Sequence, residues 1–344
     1  MILPSETMGS DPAAPAWSAH HLRLHRWLRR QPALLPQGAA LLLAVSGGQD
    51  SMALTALLQD LSRLHHWRLH LWHGDHGWRE ESGRQAAELQ RWAEERQLPL
   101  QLERAEYLPH REDAARRWRY DQLAHWAAEL GCQRVATAHT ATDRAETLLL
   151  HLARGSHRRG LASLRRLRPL QGETLLARPL LPFSREDTGR ICRSLALPVW
   201  HDASNEDPRF ARNRIRRELL PVLEELHPGA SRRIAAQAQR LAEELEAEEE
   251  LIALVLPALE EAPGRLGRRR LMALAPANQR RLLQAWLRRQ GRAELPSGSL
   301  EALLVRLGPT REPGRMDLAG GWRLCWDRST LALLGPTATP PLHD

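Results

Sequence analysis

Apolar and polar positions follow two different spacings along the first half of the chain. Short apolar runs, typical of buried strands, alternate with segments whose apolar residues recur at the i, i+3, i+4 spacing of an amphipathic helix. The runs predict strands at residues 39–45, 67–72, 98–103 and 133–138. The helical spacing predicts helices at residues 20–30, 51–64, 82–96, 114–131 and 142–153. This alternation indicates an α/β fold with a doubly wound parallel sheet, in which ligands bind at the carboxyl ends of the strands.

The pattern becomes helical almost throughout after about residue 208. Residues 211–255 predict helices, with interruptions at Pro221 and at the HPG sequence of residues 227–229. Two further helices are predicted within residues 271–307, and the alternation within residues 316–334 predicts a hairpin.

Chain length and the change of pattern together predict two domains. A flexible tail is expected at residues 1–19, and the α/β domain at residues 20–228. A smaller, mainly helical C-terminal domain with a terminal hairpin is expected at residues 229–344.

The charge of the chain suggests a polyanionic partner. The formal net charge is +8 and the sequence pI is about 10.7, values typical of nucleic-acid-binding proteins. All 49 basic Lys and Arg positions are arginine, and residues with A/T-rich codons are depleted together, so a GC-rich genome is an alternative explanation. Because lysine is absent, a P-loop lysine is excluded, and phosphates must contact arginine, backbone N–H groups, a helix dipole or a metal.

Cysteine spacing and hydropathy exclude several other classes. Cys132, Cys192 and Cys325 are far apart, so the paired-thiol spacing of zinc and redox sites is missing, as is typical of a reducing compartment. No stretch approaches 18 apolar residues, and the N-terminus is polar and proline-rich. We therefore predict a cytoplasmic protein without a membrane segment.

The sequence SGGQDS, residues 46–51, follows the first predicted strand and leads into a helix. Its two glycines let an anion approach the backbone, and a helix N-terminus attracts negative charge. Asp50 would repel a phosphate unless Mg²⁺ lay between them. A tight turn with Asp50 as a helix cap is the alternative. The loop has neither a Walker A lysine nor the GxGxxG spacing.

This strand and loop resemble the pyrophosphate loop (PP-loop) of the N-type ATP pyrophosphatases, whose fold is adenine nucleotide alpha hydrolase-like. The resemblance implies that the chain cleaves ATP between the α and β phosphates and adenylates a substrate. Together with the charge argument above, this makes Asp50 the predicted Mg²⁺ ligand. The implied ATP-binding residues are Ser46, Gly47, Gly48, Gln49, Asp50 and Ser51.

Five segments in order resemble the tRNA(Ile)-lysidine synthetase family over roughly residues 35–225. That family attaches lysine to the wobble cytidine of a CAU anticodon at the expense of ATP. The segments are HGDHGWREES at 73–82, RRWRY at 116–120, VATAHTATDRAETLLLHLARGSHRRGL at 135–161, DASN at 202–205 and RNRIR at 212–216.

Two acids at the start of the fifth predicted helix are suited to a cation. Asp143 and Glu146 stand three positions apart, so both lie near one helical face. A lysine substrate carries two ammonium groups, and the acids could hold it while its ε-amine loses a proton and attacks. Stabilisation of a helix N-terminus is the alternative role.

The family resemblance assigns roles to individual residues. His139 resembles a histidine near the ATP phosphates and the target base, and Arg212 resembles an arginine near the adenylated intermediate. Arg119 resembles an arginine near the lysine or the leaving group, beside the lysine-binding acids Asp143 and Glu146. The implied catalytic residues are Asp50, Arg119, His139, Asp143 and Arg212.

The chain departs from the family pattern at two positions. Many relatives have HH-x-DD where this chain has Thr140 and Thr142 between His139 and Asp143. If the replaced aspartate binds metal in those relatives, Mg²⁺ must here depend on Asp50 and on ATP itself.

The resemblance implies a two-step ligation. The cytidine O2 attacks the α-phosphate of ATP and releases pyrophosphate, and the ε-amine of L-lysine then attacks C2 and releases AMP. The partners implied are tRNA(Ile) with a CAU anticodon, ATP, Mg²⁺ and L-lysine. Arginines at residues 154–160 and 165–168 are expected to contact tRNA phosphates, with ordinary solvated arginines as the alternative. The C-terminal domain is expected to bind tRNA or to form a homodimer, and the sequence does not separate the two.

Two other functions are alternatives. A tRNA thiolase of the same superfamily commonly needs paired or catalytic cysteines, which the isolated cysteines here argue against. A non-catalytic basic RNA-binding protein would explain the arginines but not the spacing of Asp50, His139 and Asp143.

Overall fold

A computed structural model describes residues 17–77, 82–106, 111–200, 211–291, 295–308 and 311–335. Most of the predicted tail, part of the first family segment and the whole DASN segment lie outside these residues. The chain forms two compact units, Met1–Ala242 and Glu243–Asp344. The predicted division at residues 228–229 precedes a long helix, and the division between the units falls inside that helix.

The first unit contains a six-stranded sheet with the order β3-β2-β1-β4-β6-β5. All neighbouring strands are parallel except β5 and β6, which form an antiparallel pair at one edge. The doubly wound α/β fold is therefore confirmed. The strands are β1 Ala40–Ala44, β2 Arg68–Asp75, β3 Leu100–Arg104, β4 Arg134–Ala136, β5 Leu167–Gln171 and β6 Thr174–Ala177.

Helices cover both faces of this sheet, and the five predicted up to residue 153 are confirmed. They are α1 Ala19–Arg29, α2 Gln49–His65, α3 Ser82–Glu95, α4 Glu112–Glu129 and α5 Ala141–Ala153. The helices that follow are α6 Arg158–Leu161, α7 Arg185–Ser194, α8 Ala211–Arg214, α9 Leu220–Leu226 and α10 Ala230–Leu259. A π-helical turn at Ile215–Leu219 joins α8 to α9, so the chain remains helical past Pro221, where we had predicted an interruption.

Burial on both faces accounts for the continuous apolar sequence of the central strand β1. Leu41 and Leu43 pack into the core on one face of the sheet, and Leu42 packs into the core on the other. All three side chains are fully buried. Because both faces of a doubly wound sheet are covered, such a strand has no polar alternation.

The sequence pattern missed the β5–β6 pair and α7. Gly172, with a φ of +53°, lies in the tight connection between the two strands. Ser184 caps α7 through a capping box with Asp187, a Ser-x-x-acid signal that is legible in the sequence. Helix α7 packs against α2, and this contact matters for the site described below.

The second unit pairs helices with a five-stranded antiparallel sheet of order β7-β8-β11-β10-β9. The predicted hairpin is confirmed, and it belongs to this larger sheet. The strands are β7 Glu260–Ala262, β8 Arg265–Gly267, β9 Gly314–Leu318, β10 Trp322–Trp326 and β11 Thr330–Leu334. The helices are α11 Arg268–Met272, α12 Pro276–Arg289 and α13 Ser297–Arg306. Within the described residues, no helix is both long and apolar enough to cross a membrane.

Candidate functional site

The candidate site lies where the strand order of the first sheet reverses. Strands β1 and β4 are parallel neighbours, with Leu43 opposite Ala136. Their carboxyl ends therefore bring the loop at residues 46–51 next to residues 137–143. In open α/β sheets, this switch point is the usual position of a ligand crevice.

The loop after β1 is held by its own hydrogen bonds and by Trp200. The Ser46 N–H donates to Ser51 Oγ at 3.2 Å, and the Ser51 hydroxyl donates to the Gly48 carbonyl at 2.9 Å. The backbone N–H of Trp200 donates to the Gly47 carbonyl at 3.0 Å. Gly47 has a φ of +80°, and a Cβ there would lie 2.9 Å from the Trp200 ring. The first glycine is therefore required by both backbone conformation and space.

Gly47→Ala is expected to lower the free energy of unfolding by at least about 1–2 kcal/mol, the usual cost of a left-handed backbone for a residue with a Cβ. Gly48→Ala is the matched control, because Gly48 has an ordinary φ of −78° and its nearest neighbour to a new Cβ is Ser46 Oγ at 3.5 Å. Denaturant unfolding of both variants tests this difference. Equal losses of stability would contradict the requirement at Gly47.

Asp50, in the first turn of α2, is bound from both sides by α7. Arg185 Nη1 donates to Asp50 Oδ2 at 2.7 Å, and the Thr188 hydroxyl donates to Oδ1. Burial raises the pKa of Asp50, and the negative charge of Asp143 adds to the effect, although Arg185 opposes it. The ionised form of Asp50 is therefore destabilised by burial, and a cation bound beside it would stabilise that form.

The side chain of Gln49 is directed to α7. Its Nε2 donates to the Arg185 carbonyl at 2.6 Å and to Thr188 Oγ1 at 2.9 Å. Gln49 therefore helps to position the two residues that bind Asp50. A role in ATP binding stays a prediction for Gln49, and its backbone N–H is the group suited to it.

The two threonines that depart from the family pattern have structural roles here. Thr140 caps α5: its hydroxyl donates to Asp143 Oδ2 at 2.8 Å, and its backbone N–H donates to the same oxygen at 2.8 Å. Thr142 Oγ1 accepts a hydrogen bond of 3.1 Å from the backbone N–H of Arg185. These contacts orient Asp143 and connect α5 to the helix that holds Asp50.

Asp143 and Glu146 are paired with two arginines from the segment RNRIR. Arg212 donates to Asp143 Oδ1 at 2.9 Å and to Glu146 Oε2 at 2.8 Å. Arg216 donates to Glu146 Oε1 at 2.6 Å and lies 3.4 Å from Asp143 Oδ1. Glu146 is 0 % exposed. The acids that we expected to hold a cation are therefore already balanced by two guanidinium groups.

His139 completes this cluster. Its Nδ1 lies 3.0 Å from the Thr137 hydroxyl. Burial and the nearby Arg178 charge hold the pKa of His139 well below its ordinary value, although Asp143 works in the opposite direction. For Asp143, burial works to raise the pKa, but Arg212 and His139 outweigh it and the pKa is lowered. At neutral pH the imidazole is therefore uncharged and the carboxylate is ionised.

The remaining predicted residue, Arg119, lies on the exposed side of α4. Its described effect is on His73, where burial lowers the imidazole pKa and the Arg119 charge lowers it further. His73 Nδ1 lies 2.8 Å from the Val45 carbonyl, just before the PP-loop. The charge of Arg119 therefore acts on the β2 side of the crevice, and its role near the lysine or the leaving group stays a prediction.

Several residues of the site were missed by the sequence reasoning. They are Arg185, Thr188, Trp200, Arg216 and Thr142. Arg216 had a legible signal, because it stands four positions after Arg212 on one helical face. The capping box at Ser184 could have located α7 and with it Arg185. For Trp200 no local signal exists, since only the tertiary fold brings it to Gly47.

The chain is similar to known proteins over most of its length. The family model described as "PP-loop domain" matches residues 23–223. The tRNA(Ile)-lysidine synthase of Parasynechococcus marenigrum (strain WH8102) is 53% identical, covering 95% of this chain and 98% of that protein. The tRNA(Ile)-lysidine synthase of Thermosynechococcus vestitus is 40% identical, covering 94% of each chain.

A solved structure supports the fold alone. The U34-tRNA thiolase NcsA from Methanococcus maripaludis, solved with its [4Fe-4S] cluster, superposes with a TM-score of 0.55 at 16% identity. The match covers 64% of this chain and 78% of that one. From the family model and the identity shared over nearly the whole chain, it follows that this chain belongs to the tRNA(Ile)-lysidine synthase family of PP-loop proteins.

Proposed function

We propose that this chain joins L-lysine to C2 of the wobble cytidine in the CAU anticodon of tRNA(Ile), with release of AMP and pyrophosphate. The modification changes decoding from AUG to AUA. One observation carries the proposal: in a member of this family, the PP-loop after β1 lies beside the cluster of His139, Asp143 and Glu146 after β4. A phosphate-binding loop next to paired acids is suited to adenylation followed by attack of an amine.

In the first step, the cytidine O2 forms a bond to the α-phosphorus of ATP, and the bond to the pyrophosphate oxygen breaks. Backbone N–H groups at the start of α2 and the hydroxyls of Ser46 and Ser51 are proposed to bind phosphate oxygens. Phosphoryl transfer depends mainly on positioning and charge stabilisation. The role of this chain in the step is therefore to hold ATP and the base in line.

The single carboxylate of Asp50, together with the phosphates of ATP, fits the ligands that Mg²⁺ prefers. Mg²⁺ is usually bound by one or two carboxylates together with substrate phosphates and water. Among the described residues, no group of three or more His, Cys, Asp or Glu side chains could hold a metal. Asp50, with the raised pKa described above, is the carboxylate that would hold the ion with ATP. When bound, Mg²⁺ would neutralise phosphate charge.

In the second step, the ε-amine of lysine forms a bond to C2, loses a proton, and AMP departs with the O2 oxygen. Asp143 and Glu146 are proposed to bind the lysine ammonium groups, and Arg212 to contact the adenylated intermediate. Uncharged His139 is able to accept a proton. Because Arg212 and Arg216 already balance the acids, lysine has to share these carboxylates or displace a guanidinium.

A thiolase is the alternative within the superfamily, and the cysteines argue against it. Burial raises the pKa of Cys132 and of Cys192 to about 11, so both thiols are protonated at neutral pH. Thiolates, not thiols, are the reactive form. Cys325 lies in β10 of the second unit.

The proposal is tested by incubating the protein with ATP, radiolabelled lysine and a transcript of isoleucine tRNA with a CAU anticodon. Label is expected in the RNA, together with stoichiometric AMP. The matched control is the same transcript with uridine in place of the target cytidine, which should remain unlabelled. Sulfur transfer without lysine incorporation would support the thiolase alternative and overturn the proposal.

A further inference from the structure

A second cationic site lies on the α4 side of the crevice. We call it the Tyr120 cleft, a space of about 250 Å³ between α4 and β5. The residues that matter for its chemistry are Arg116, Arg117, Tyr120, Asp121, Arg168 and Gln171. None of them belongs to the PP-loop or to the acid–arginine cluster described above.

Guanidinium groups converge on the Tyr120 ring. The Cζ atoms of Arg116 and Arg168 lie 5.1 Å and 4.8 Å from the ring centroid. Arg178, which follows β6 and is 2 % exposed, lies close enough to Tyr120 for its charge to affect the phenol. Burial works to raise the pKa of Tyr120, but the charges of Arg116 and Arg178 outweigh it and the pKa is lowered. The cleft is therefore strongly positive at its base.

This positive charge has little compensation from the protein. Over the described parts of the chain, Arg116, Arg168 and Arg178 form no ion pair, whereas Arg117 lies 3.6 Å from Asp113. Asp121 is the carboxylate that shares the cleft. Burial lowers the pKa of Arg178 only to about 10, so it stays cationic, and its buried Nε has no hydrogen-bond partner.

Arg178 is the buried member of this group, whereas Arg116 is exposed and Arg168 is half-buried, so the two guanidinium groups at the cleft are accessible to an external anion. The arginines of the acid–arginine cluster give an internal comparison. Arg212 and Arg216 each contact two carboxylate groups, and they need no external anion. Arg116 and Arg168 instead lie against the Tyr120 ring, and the further hydrogen bonds of Arg168 and Arg178 go to backbone carbonyls and not to carboxylates. Aromatic stacking together with arginine is the combination that proteins use for single-stranded nucleic acid.

The position of the cleft decides which anion it takes. Arg178 directly follows Ala177, which is opposite Ala136 of β4, three residues before His139. In agreement with this position, the charges of Arg178 and Arg116 lower the pKa of His139 together with burial. The cleft therefore borders the reaction site, but on the β6–β5 side, away from the PP-loop on β1. An RNA strand whose target base lies at His139 would pass this side of the sheet with its neighbouring phosphate.

We propose that the Tyr120 cleft binds a phosphodiester of the RNA strand next to the target nucleotide, with Arg116 and Arg168 as its ligands and Tyr120 against the adjoining base. The proposal rests on the proposed function in that the substrate is RNA. The PP-loop holds ATP, and this second site fixes the strand so that the base enters the crevice. A phosphate of ATP is the other source of the same chemistry, and the test distinguishes them.

The test measures RNA and ATP binding separately for the variant Arg116→Ala/Arg168→Ala. With a fluorescent anticodon stem-loop, the RNA Kd is expected to rise at least about tenfold, and the slope of log Kd against log salt to fall by about 0.7 per lost phosphate contact. The ATP Kd should stay within about twofold. Arg190→Ala is the control, since Arg190 is an exposed arginine of α7 paired with Glu186.

Each other result overturns the proposal. An RNA Kd no more affected than in Arg190→Ala would show that the cleft does not bind RNA. A weakened ATP Kd with unchanged RNA binding would assign the cleft to ATP. If the double variant fails to fold, the single Gln variants, which keep the side-chain stems over Tyr120, replace it under the same criteria. Failure of the proposed function is distinguishable, because wild-type protein would then bind RNA without incorporating lysine.

Discussion

Asp50→Ala is expected to reduce ATP-dependent AMP formation by at least about 100-fold, the scale seen when one group that stabilises transition-state charge is removed. The loss should appear in kcat. The RNA Kd should stay within about twofold of the wild-type value, because the Asp50 carboxylate is bound by Arg185 and Thr188 and is proposed to act on ATP and not on RNA. AMP release with saturating RNA and lysine measures the effect.

Two further variants make this test specific. Asp50→Asn keeps the volume and the contact with Thr188, so a comparable loss shows that charge and not packing is responsible. Glu186→Gln is the control, because it removes one carboxylate charge from the exposed side of α7, where Glu186 pairs with Arg190. It should leave AMP formation unchanged. If Asp50→Ala keeps more than a tenth of wild-type activity, the assignment of Asp50 to the reaction is wrong.

Glu146→Gln is expected to raise the KM for lysine by at least about 30-fold, since losing one partner of a buried charge pair commonly costs 2–5 kcal/mol. Glu146 is fully buried and bound by Arg212 and Arg216, so the substitution leaves both guanidinium groups without one negative charge. Asp143 then faces both guanidinium groups alone, and a lysine ammonium group meets a net positive site. The ATP Kd should remain nearly unchanged because Glu146 makes no described contact with the PP-loop.

The matched control is Glu218→Gln. Glu218 is also an acid paired with arginine, but its partner Arg214 and its own side chain are both exposed. Exposed pairs contribute little, so the KM for lysine should not change. Equal KM changes in the two variants would mean that Glu146 affects lysine binding through the net charge of the protein and not through contact with lysine. A raised KM for ATP in Glu146→Gln would likewise contradict the assignment.

The sheet and the helices up to residue 153 could be predicted because each is coded locally. An apolar run such as residues 39–45 is typical of a strand that is covered on both faces. The β5–β6 pair and α7 were missed because neither has a long periodic pattern. Helix α7 has mostly polar residues, and its start depends on a single capping box at Ser184.

The roles of the two threonines show how tertiary contacts revise a reading based on family pattern. In the sequence, Thr140 and Thr142 stand where many relatives have a histidine and an aspartate. In the fold, Thr140 orients Asp143 and Thr142 holds the backbone of Arg185. Both contacts join segments through hydrogen bonds whose partners are not set by any spacing rule.

The sequence by itself determined the fold class, the PP-loop and the identity of the acids, because strand burial, helix periodicity and short phosphate-loop motifs are local properties of the chain. Only the tertiary structure decided how those groups are balanced. Arg185 lies 135 positions from Asp50, and Arg216 lies 70 positions from Glu146, yet each arginine donates a hydrogen bond to its partner carboxylate. Charge compensation depends on distance in space, so the sequence could name the carboxylates and Arg212 but not which arginine pairs with which carboxylate, nor that Arg116 and Arg168 lie against the Tyr120 ring.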